Sequence, residues 1–173
     1  MTNQEMDNTK CLIILSWKRY AGKDYIGLVM EKELRKKFNC DAKFIHATTE
    51  IKREFAKQEG LDFNELSNDR MYKETYREKM TEFANNQKNK FGECYYDILL
   101  KNNILDRSTN PTIYIVDVRY KFEIDYYRIL NIPLVLIRIN VDDRIKKKRG
   151  WKFDPKIDND DSETNLDNYH NWN

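Results

Sequence analysis

The stretch CLIILSWKRYAGKDYIG, residues 11–27, decides the fold of this chain. Its first five residues form a short apolar run, which is typical of a buried parallel strand. The residues that follow, Ser16–Gly22, are too polar to continue that strand. Beyond them, apolar residues recur at helical spacing, at Ile26, Val29, Met30, Leu34 and Phe38. The pattern predicts a strand, a tight loop and a helix that begins near Gly22 and Lys23.

A loop between a strand and a helix can bind phosphate. The free backbone N–H groups at a helix N-terminus bind the anion, and the helix dipole favours it. Lys23 can add a positive charge over the outer phosphates of a nucleotide. The motif G-x-x-x-x-G-K-S/T is imperfect, because Trp17 stands at its first glycine and Asp24 at its magnesium ligand. An ordinary strand-to-helix turn with an exposed lysine is the alternative.

Composition excludes several classes of protein. The 173 residues include 31 lysines and arginines and 29 acidic residues, and the net charge of +2 argues against a nucleic-acid partner. The cysteines, Cys11, Cys40 and Cys94, are odd in number and far apart, so we expect no disulfide framework and a cytoplasmic location. No apolar run approaches membrane-spanning length, so we expect no membrane association.

The rest of the chain alternates strands with helices. Apolar runs predict strands at 43–46, 113–116 and 134–139, and helical spacing is present between them. We predict an α/β fold over residues 1–173, in one domain, with a short parallel sheet and helices on both faces. A long helix carries the stripe Tyr72, Tyr76, Met80 and Phe83, and another helix is predicted over Phe91–Asn102. Arg149–Asn173 shows no clear period and is predicted to be a mobile flap and tail.

Ligands of such folds bind at the carboxyl ends of the strands. Asp117 and Arg119 follow the predicted third strand at this edge. The aspartate resembles the acid that orients magnesium in P-loop enzymes, and Arg119 can hold a phosphate with two hydrogen bonds. We therefore predict that both residues bind substrate, with a structural ion pair as the alternative.

Two further basic features are candidate sites. Lys73 and Arg77 are spaced i, i+4, and two adjacent cations repel unless an anion lies between them. Glu74 and Glu78 lie close by, so a solvated charged face is an equal alternative. A basic run ends at Arg149 and is followed by Gly150. We predict a lid over about residues 144–163 that closes its arginine over nucleotide phosphates, with a plain charged loop as the alternative.

Several stretches resemble the animal-type phosphomevalonate kinases, from about Leu12 to the end of the chain. They are the loop SWKRYAGKD at 16–24, the residues around 51–63, the YKE at 72–74 with Arg77 and Met80, and the pattern RGW…F…P…D…SE…LDN over 149–168. The resemblance implies a three-layer P-loop kinase fold of the nucleoside-monophosphate-kinase type. It also implies transfer of the γ-phosphate of ATP to mevalonate 5-phosphate, with magnesium required. We expect a monomer that acts on a small-molecule phosphate acceptor.

Residue roles follow from the resemblance by position. The residues that would bind ATP are Lys18, Arg19, Tyr20, Ala21, Gly22, Lys23, Asp24 and, from the lid, Arg149. Lys23 would be the catalytic cation, and Asp24 would take the magnesium-side place. The residues that would hold the acceptor and the transferring group are Arg19, Lys73, Arg77 and Arg119.

The chain also departs from the family. Trp17 replaces the first loop glycine, and Tyr20, His46 and Tyr120 stand where basic residues are usual. Either the indole points away and the loop keeps its shape, or the loop is deformed; since a large side chain resists positive φ, we expect Trp17 to weaken ATP binding. The family continues past Asn173 with a strand and a final helix, so we expect a fifth strand and part of the adenine pocket to be absent.

Two alternatives to this function follow from the same residues. The segment DVRY at 117–120 also resembles the deoxynucleoside monophosphate kinases, in which an aromatic residue can stack on a base. A nucleotide-binding pseudoenzyme without catalysis is the alternative from another class.

Overall fold

A computed structural model of the chain describes residues 11–92, 95 and 112–173. The described residues form two compact units, one from 11–45 with 112–173 and one from 46–92 with 95. The strands are β1 Cys11–Trp17, β2 Asp41–Ile45, β3 Thr112–Asp117 and β4 Leu134–Ile139. The helices of the first unit are α1 Lys23–Phe38, α6 Lys121–Arg128, α7 Asp143–Lys148, α8 Pro155–Asp158 and α9 Asp161–Thr164. Those of the second unit are α2 Ala47–Glu59, α3 Phe63–Asn68, α4 Arg70–Thr75 and α5 Arg77–Phe91.

The first unit is built on a parallel sheet of four strands in the order β2-β3-β1-β4. β1 pairs with β3 on one side, with Leu15 opposite Asp117, and with β4 on the other, with Trp17 opposite Ile139. β1 is therefore a central strand, and its carboxyl end lies beside those of its two neighbours. The predicted α/β fold with a parallel sheet is confirmed.

Both faces of the sheet are buried. On one face, Ile13, Leu15 and Trp17 pack with Met30 and Leu34 of α1. Side chains of the opposite face are fully buried as well, among them Leu12, Ile14, Tyr114 and Val116. Burial of both faces explains why these strands are continuous apolar runs rather than alternating ones.

Helix α1 lies very close to β2. A Cβ atom added to Gly27 would meet the ring of Phe44 at 2.2 Å, so a larger residue at this point of the helix would force that ring to move. Beside this contact, the Glu31 carboxylate accepts the backbone N–H of Phe44 at 2.9 Å. These two contacts hold α1, and with it the loop at its N-terminus, in place on the sheet.

The second unit has its own core, in which Phe55 and Phe83 pack edge to face with ring centroids 5.6 Å apart. Phe83 is buried and Met80 packs partly buried beside it, as the apolar stripe predicts. The single long helix predicted here is wrong, because Tyr76 ends α4 with φ −106° and ψ 5° before α5 begins. The helix predicted over Phe91–Asn102 lies largely outside the described residues; α5 itself ends at Phe91.

The C-terminal segment, residues 149–173, has secondary structure that the sequence did not predict. It contains α8 and α9, and it buries Trp151 and Leu166. Asn173 exchanges two hydrogen bonds with Leu136 on the outer edge of β4, at 2.9 and 2.6 Å. Hydrophobic burial and strand-edge pairing therefore order a stretch whose sequence shows no period. Within the described parts of the chain, no helix is both long enough and apolar enough to cross a membrane.

Candidate active site

The phosphate loop, residues 18–22, joins the end of β1 to the start of α1. It turns through a hydrogen bond from the Ala21 N–H to the Lys18 carbonyl at 3.2 Å. Its left-handed residues are Tyr20, with φ 63°, and Gly22, with φ 86°. Gly22 is the N-cap residue of α1, and it has no side chain that could cap the helix. The 16-residue helix therefore begins without a side-chain cap, and the N-terminus of a helix is a place where anions bind.

Trp17 stands at the first glycine position of the loop motif, but in the structure it belongs to β1. It ends β1 in the extended region, and its side chain is only 2% exposed, packed in the core with Ile13 and Leu15. The positive φ angles fall later in the loop, at Tyr20 and Gly22. The structure therefore has the first of the two alternatives, in which the indole points away from the loop, so the backbone strain from which weaker ATP binding was expected is absent.

Lys23 lies among acidic side chains at the start of α1. Its Nζ is 3.1 Å from Oδ2 of Asp117 and 3.8 Å from Oδ1 of Asp24. Asp117 is 7% exposed and reaches Lys23 because β3 pairs directly with β1. The ammonium also lies 5.4 Å from the ring centroid of Trp17. The structure thus brings together Lys23 and Asp117 over a buried aromatic ring, while the Asp24 side chain stays 67% exposed.

Arg119 joins the same cluster from the end of β3. Its guanidinium pairs with Glu163 at 2.5 Å and lies 5.8 Å from the ring centroid of Trp17. The backbone N–H groups of Arg119 and Tyr120 both donate to the buried carboxylate of Glu123, at 2.6 and 2.8 Å. Glu123 therefore fixes the turn that aims Arg119 at the phosphate loop.

Arg19 of the phosphate loop and Arg149 of the predicted lid also form polar contacts. Arg19 lies 3.1 Å from Asp158 and donates to the Lys152 carbonyl at 2.8 Å. Arg149 donates to the Tyr20 carbonyl at 3.1 Å, and its Nη1 lies 3.0 Å from where a Cβ of Gly22 would be. The predicted lid arginine is thus already against the phosphate loop, and a side chain at residue 22 would press on it.

Sequence reasoning missed Arg138 and assigned no role to Asp158, Glu163 and Asp167, the acids that pair with the other cations. Arg138 donates to Ser16 at 2.6 Å and to Asp167 at 3.0 Å, and Asp167 also binds Lys18 at 2.6 Å. Burial lowers the pKa of Arg138, and Asp167 opposes that effect. A single arginine within the otherwise apolar run of β4 was the signal that could have identified it. Asp158, Glu163 and Asp167 belong to the family pattern over 149–168, but their pairing with these cations had no local signal, since the partners are distant in sequence.

Lys73 and Arg77 belong to the second unit. Lys73 lies on α4, and Arg77 opens α5. Arg77 forms an ion pair with Glu74, whose hydrogen bond raises the pKa of the guanidinium above its ordinary value. The pairing with Glu74 matches the alternative interpretation of a charged surface, and it leaves a substrate role for these two residues as a prediction.

A cavity of about 310 Å³ opens beside the phosphate loop, at the carboxyl end of β4. Its lining includes Lys18 and Ala21 of the loop. The residues on the other side follow β4 and enter α7; they are Ile139, Asn140, Val141, Asp142 and Lys146. Its size is at the lower end of the range for small-molecule sites.

A parallel α/β sheet with this loop and these converging cations has the architecture of a P-loop kinase. Comparison with known proteins then gives the family. The sequence profile of the family described as Phosphomevalonate kinase matches residues 15–132. A protein of Drosophila melanogaster named phosphomevalonate kinase is 30% identical over 159 residues, which cover 90% of this chain and 81% of that protein. The chain belongs to the phosphomevalonate kinase family.

Proposed function

We propose that this chain transfers the γ-phosphate of ATP to the phosphate group of mevalonate 5-phosphate, forming ADP and mevalonate 5-diphosphate. The observation that carries the proposal is the cluster at the start of α1, where Lys23 lies 3.1 Å from Asp117. The guanidinium of Arg119 and the ammonium of Lys23 both lie close to the ring centroid of Trp17, at 5.8 and 5.4 Å. Membership of the phosphomevalonate kinase family supports ATP as the donor and a phosphate as the acceptor.

The donor side of the reaction is assigned to the phosphate loop. Its backbone N–H groups and the N-terminus of α1 bind the phosphates of ATP. Lys23 lies at that terminus and stabilises the charge that develops on the transferring phosphoryl group. Arg149 reaches the loop from the lid and adds a further cation, and the cavity beside Lys18 and Ala21 accommodates the nucleoside.

The acceptor side is assigned to Arg119, and a role of Lys73 and Arg77 in acceptor binding is a prediction that the family resemblance alone supports. Mevalonate 5-phosphate carries a carboxylate as well as a phosphate, so its binding needs several cations. Arg119 has a forked guanidinium that can hold a phosphoryl group with two hydrogen bonds. Arg19 and Lys18 neutralise further charge from within the phosphate loop.

Magnesium fits the carboxylates that flank Lys23. Mg²⁺ is bound in such sites by one or two carboxylates together with substrate phosphates and water. Asp117 and Asp24 provide those oxygens, and the described residues contain no group of three or more ligands that would hold a metal without the nucleotide. When bound, the ion neutralises charge on the phosphates of ATP.

The experiment is a coupled ADP-release assay on the purified chain. Mevalonate 5-phosphate and each of the deoxynucleoside monophosphates are offered separately as acceptors. We expect turnover with mevalonate 5-phosphate. A robust rate with a deoxynucleoside monophosphate and none with mevalonate 5-phosphate would reverse the assignment, and ATP binding without any turnover would indicate a pseudoenzyme.

The matched variant for this assay is Lys23→Met, which keeps an unbranched side chain, one atom shorter, and removes its charge. We expect turnover to fall about a hundredfold or more, because Lys23 acts on charge that develops in the transition state. ATP binding, measured by calorimetric titration, changes less. Near-normal turnover of Lys23→Met would contradict the role of this lysine.

A further inference from the structure

Glu163 connects two parts of the active site that are far apart in the sequence. It lies on α9 and is 8% exposed. Its Oε1 pairs with Nη1 of Arg119 at 2.5 Å, and its Oε2 accepts the backbone N–H of Arg19 at 2.7 Å. One carboxylate therefore links the end of β3 to the phosphate loop.

The other contacts of Arg119 do not set its direction as strictly. Nη1 lies 3.4 Å from the Trp17 carbonyl, a long hydrogen bond, and the Trp17 ring attracts the guanidinium without orienting its N–H groups. A charge-assisted bond to a rigid, planar carboxylate is shorter and more directional. Because the second oxygen of Glu163 is bonded to the loop itself, the carboxylate sets the distance between the loop and the guanidinium.

Burial makes this arrangement costly unless both oxygens are bonded. An unpaired buried carboxylate is strongly unfavourable, and Glu163 avoids this with one bond from each side. The neighbouring acids bind elsewhere: Asp158 lies beside Arg19, and Asp167 holds Lys18 and Arg138. Among the described residues, Glu163 is thus the side chain that links Arg119 to the loop.

We propose that Glu163 is the positioning residue that holds the guanidinium of Arg119 against the phosphate loop for phosphoryl transfer. The inference rests on the proposed function, in which Arg119 contacts the accepting or transferring phosphate. Glu163 itself does not touch substrate, and it acts through Arg119.

The variant Glu163→Gln keeps the hydrogen bond from the Arg19 N–H and removes the ion pair with Arg119. The amide oxygen can still accept the Arg19 N–H, whereas the amide nitrogen then faces the guanidinium and cannot pair with it. We expect kcat to fall by about tenfold to a hundredfold, the usual loss when a group that orients a reacting residue is removed. The dissociation constant of a non-hydrolysable ATP analogue changes little. Glu163→Asp is one methylene too short for both partners and recovers only part of kcat.

The matched control is Glu33→Gln, which makes the same chemical change on the exposed side of α1. It lies ten residues from Lys23 along the helix, about 15 Å. We expect the rate and melting temperature of Glu33→Gln to equal those of the wild type. All rates are measured with radiolabelled ATP, well below the lowest melting temperature of the set.

A double-variant cycle tests whether Glu163 acts through Arg119. In an Arg119→Gln background, Glu163→Gln should cause little further loss of kcat, because the residue that it positions is gone. Full additivity of the two losses would overturn the inference. So would a Glu163→Gln variant as fast as Glu33→Gln, or one in which kcat, affinity for the ATP analogue and melting temperature fall together.

Failure of the proposed function has a different signature. It appears as a wild-type chain that does not phosphorylate mevalonate 5-phosphate. Failure of the inference appears in an active wild type whose Glu163→Gln variant keeps its rate or loses it additively.

Discussion

Replacement of Trp17 by glycine tests the placement of the indole directly. Burial of a tryptophan side chain removes about 150–250 Å² from water. At about 25 cal/mol per Å² this is worth about 4–6 kcal/mol, and glycine within a strand costs about 0.5–1 kcal/mol more. Trp17 is 2% exposed, so the variant loses nearly all of this. Domains of ordinary stability, about 5–15 kcal/mol, do not always survive such a loss.

Trp17→Phe is the matched change that keeps a ring. Nε1 of Trp17 is buried and has no hydrogen-bond partner among the described residues. Phenylalanine removes this unsatisfied donor but leaves part of the indole volume empty, so we expect a loss of only about 1–2 kcal/mol. Urea unfolding followed by circular dichroism measures both variants, and the slope of the transition shows whether the unfolding remains two-state.

Calorimetric titration of ATP–magnesium is the second measurement. The ring of Trp17 lies 5.4 Å from the ammonium of Lys23 and 5.8 Å from the guanidinium of Arg119. Its removal takes away an attractive surface under both cations, so we expect Trp17→Gly to bind ATP more weakly than the wild type. The reasoning is refuted if the free energy of unfolding of Trp17→Gly is within about 1 kcal/mol of the wild-type value, because the glycine alone costs that much. Tighter ATP binding by either variant would also refute it.

Two predictions concern packing and pH. Gly27→Ala gains about 1 kcal/mol of helix propensity, but its Cβ would lie 2.2 Å from the ring of Phe44, and overpacking costs about 1–3 kcal/mol. We expect net destabilisation in urea that Phe44→Leu relieves; a more stable Gly27→Ala would contradict the close approach of α1. The pKa of Asp158 lies below its ordinary value of 3.8, since hydrogen bonds and Arg19 outweigh the burial that raises it. A lowered pKa adds stability above about pH 4 that is lost as the pH falls through the folded value. Unfolding free energies measured from pH 6 downward should therefore decline less steeply for Asp158→Asn than for the wild type, and parallel curves would exclude the effect.

Local sequence was sufficient for the framework of the site. The run Cys11–Leu15, the polar loop after it and the helical spacing from Ile26 predict β1, the phosphate loop and α1 without reference to the rest of the chain. The predicted end of β1 at Leu15 is wrong, because the strand continues through Ser16 to Trp17. Asp117 and Arg119 were found because parallel strands end at one edge of the sheet. The structure places Lys23 and Arg119 over one ring as a result.

Other features depend on residues that are distant in sequence. The direction of the Trp17 side chain follows from the core that β1 shares with α1, although the loop motif alone suggested a strained turn. The break at Tyr76 divides a stretch whose apolar spacing is continuous. Helices α8 and α9 form where no period is visible, with Asp154 and Asp160 accepting the N–H groups of their first turns.

The sequence by itself determined which stretches of this protein form the strands and where the first helix begins, since apolar periodicity and a glycine-lysine pair act over a few residues. Only the tertiary structure decided which acid neutralises which cation. Glu163 accepts a bond from Arg19, 144 residues away, and pairs with Arg119, 44 residues away. Such partnerships leave no local pattern, because a charge–charge contact depends on distance in space, and the packing of the whole first unit sets that distance.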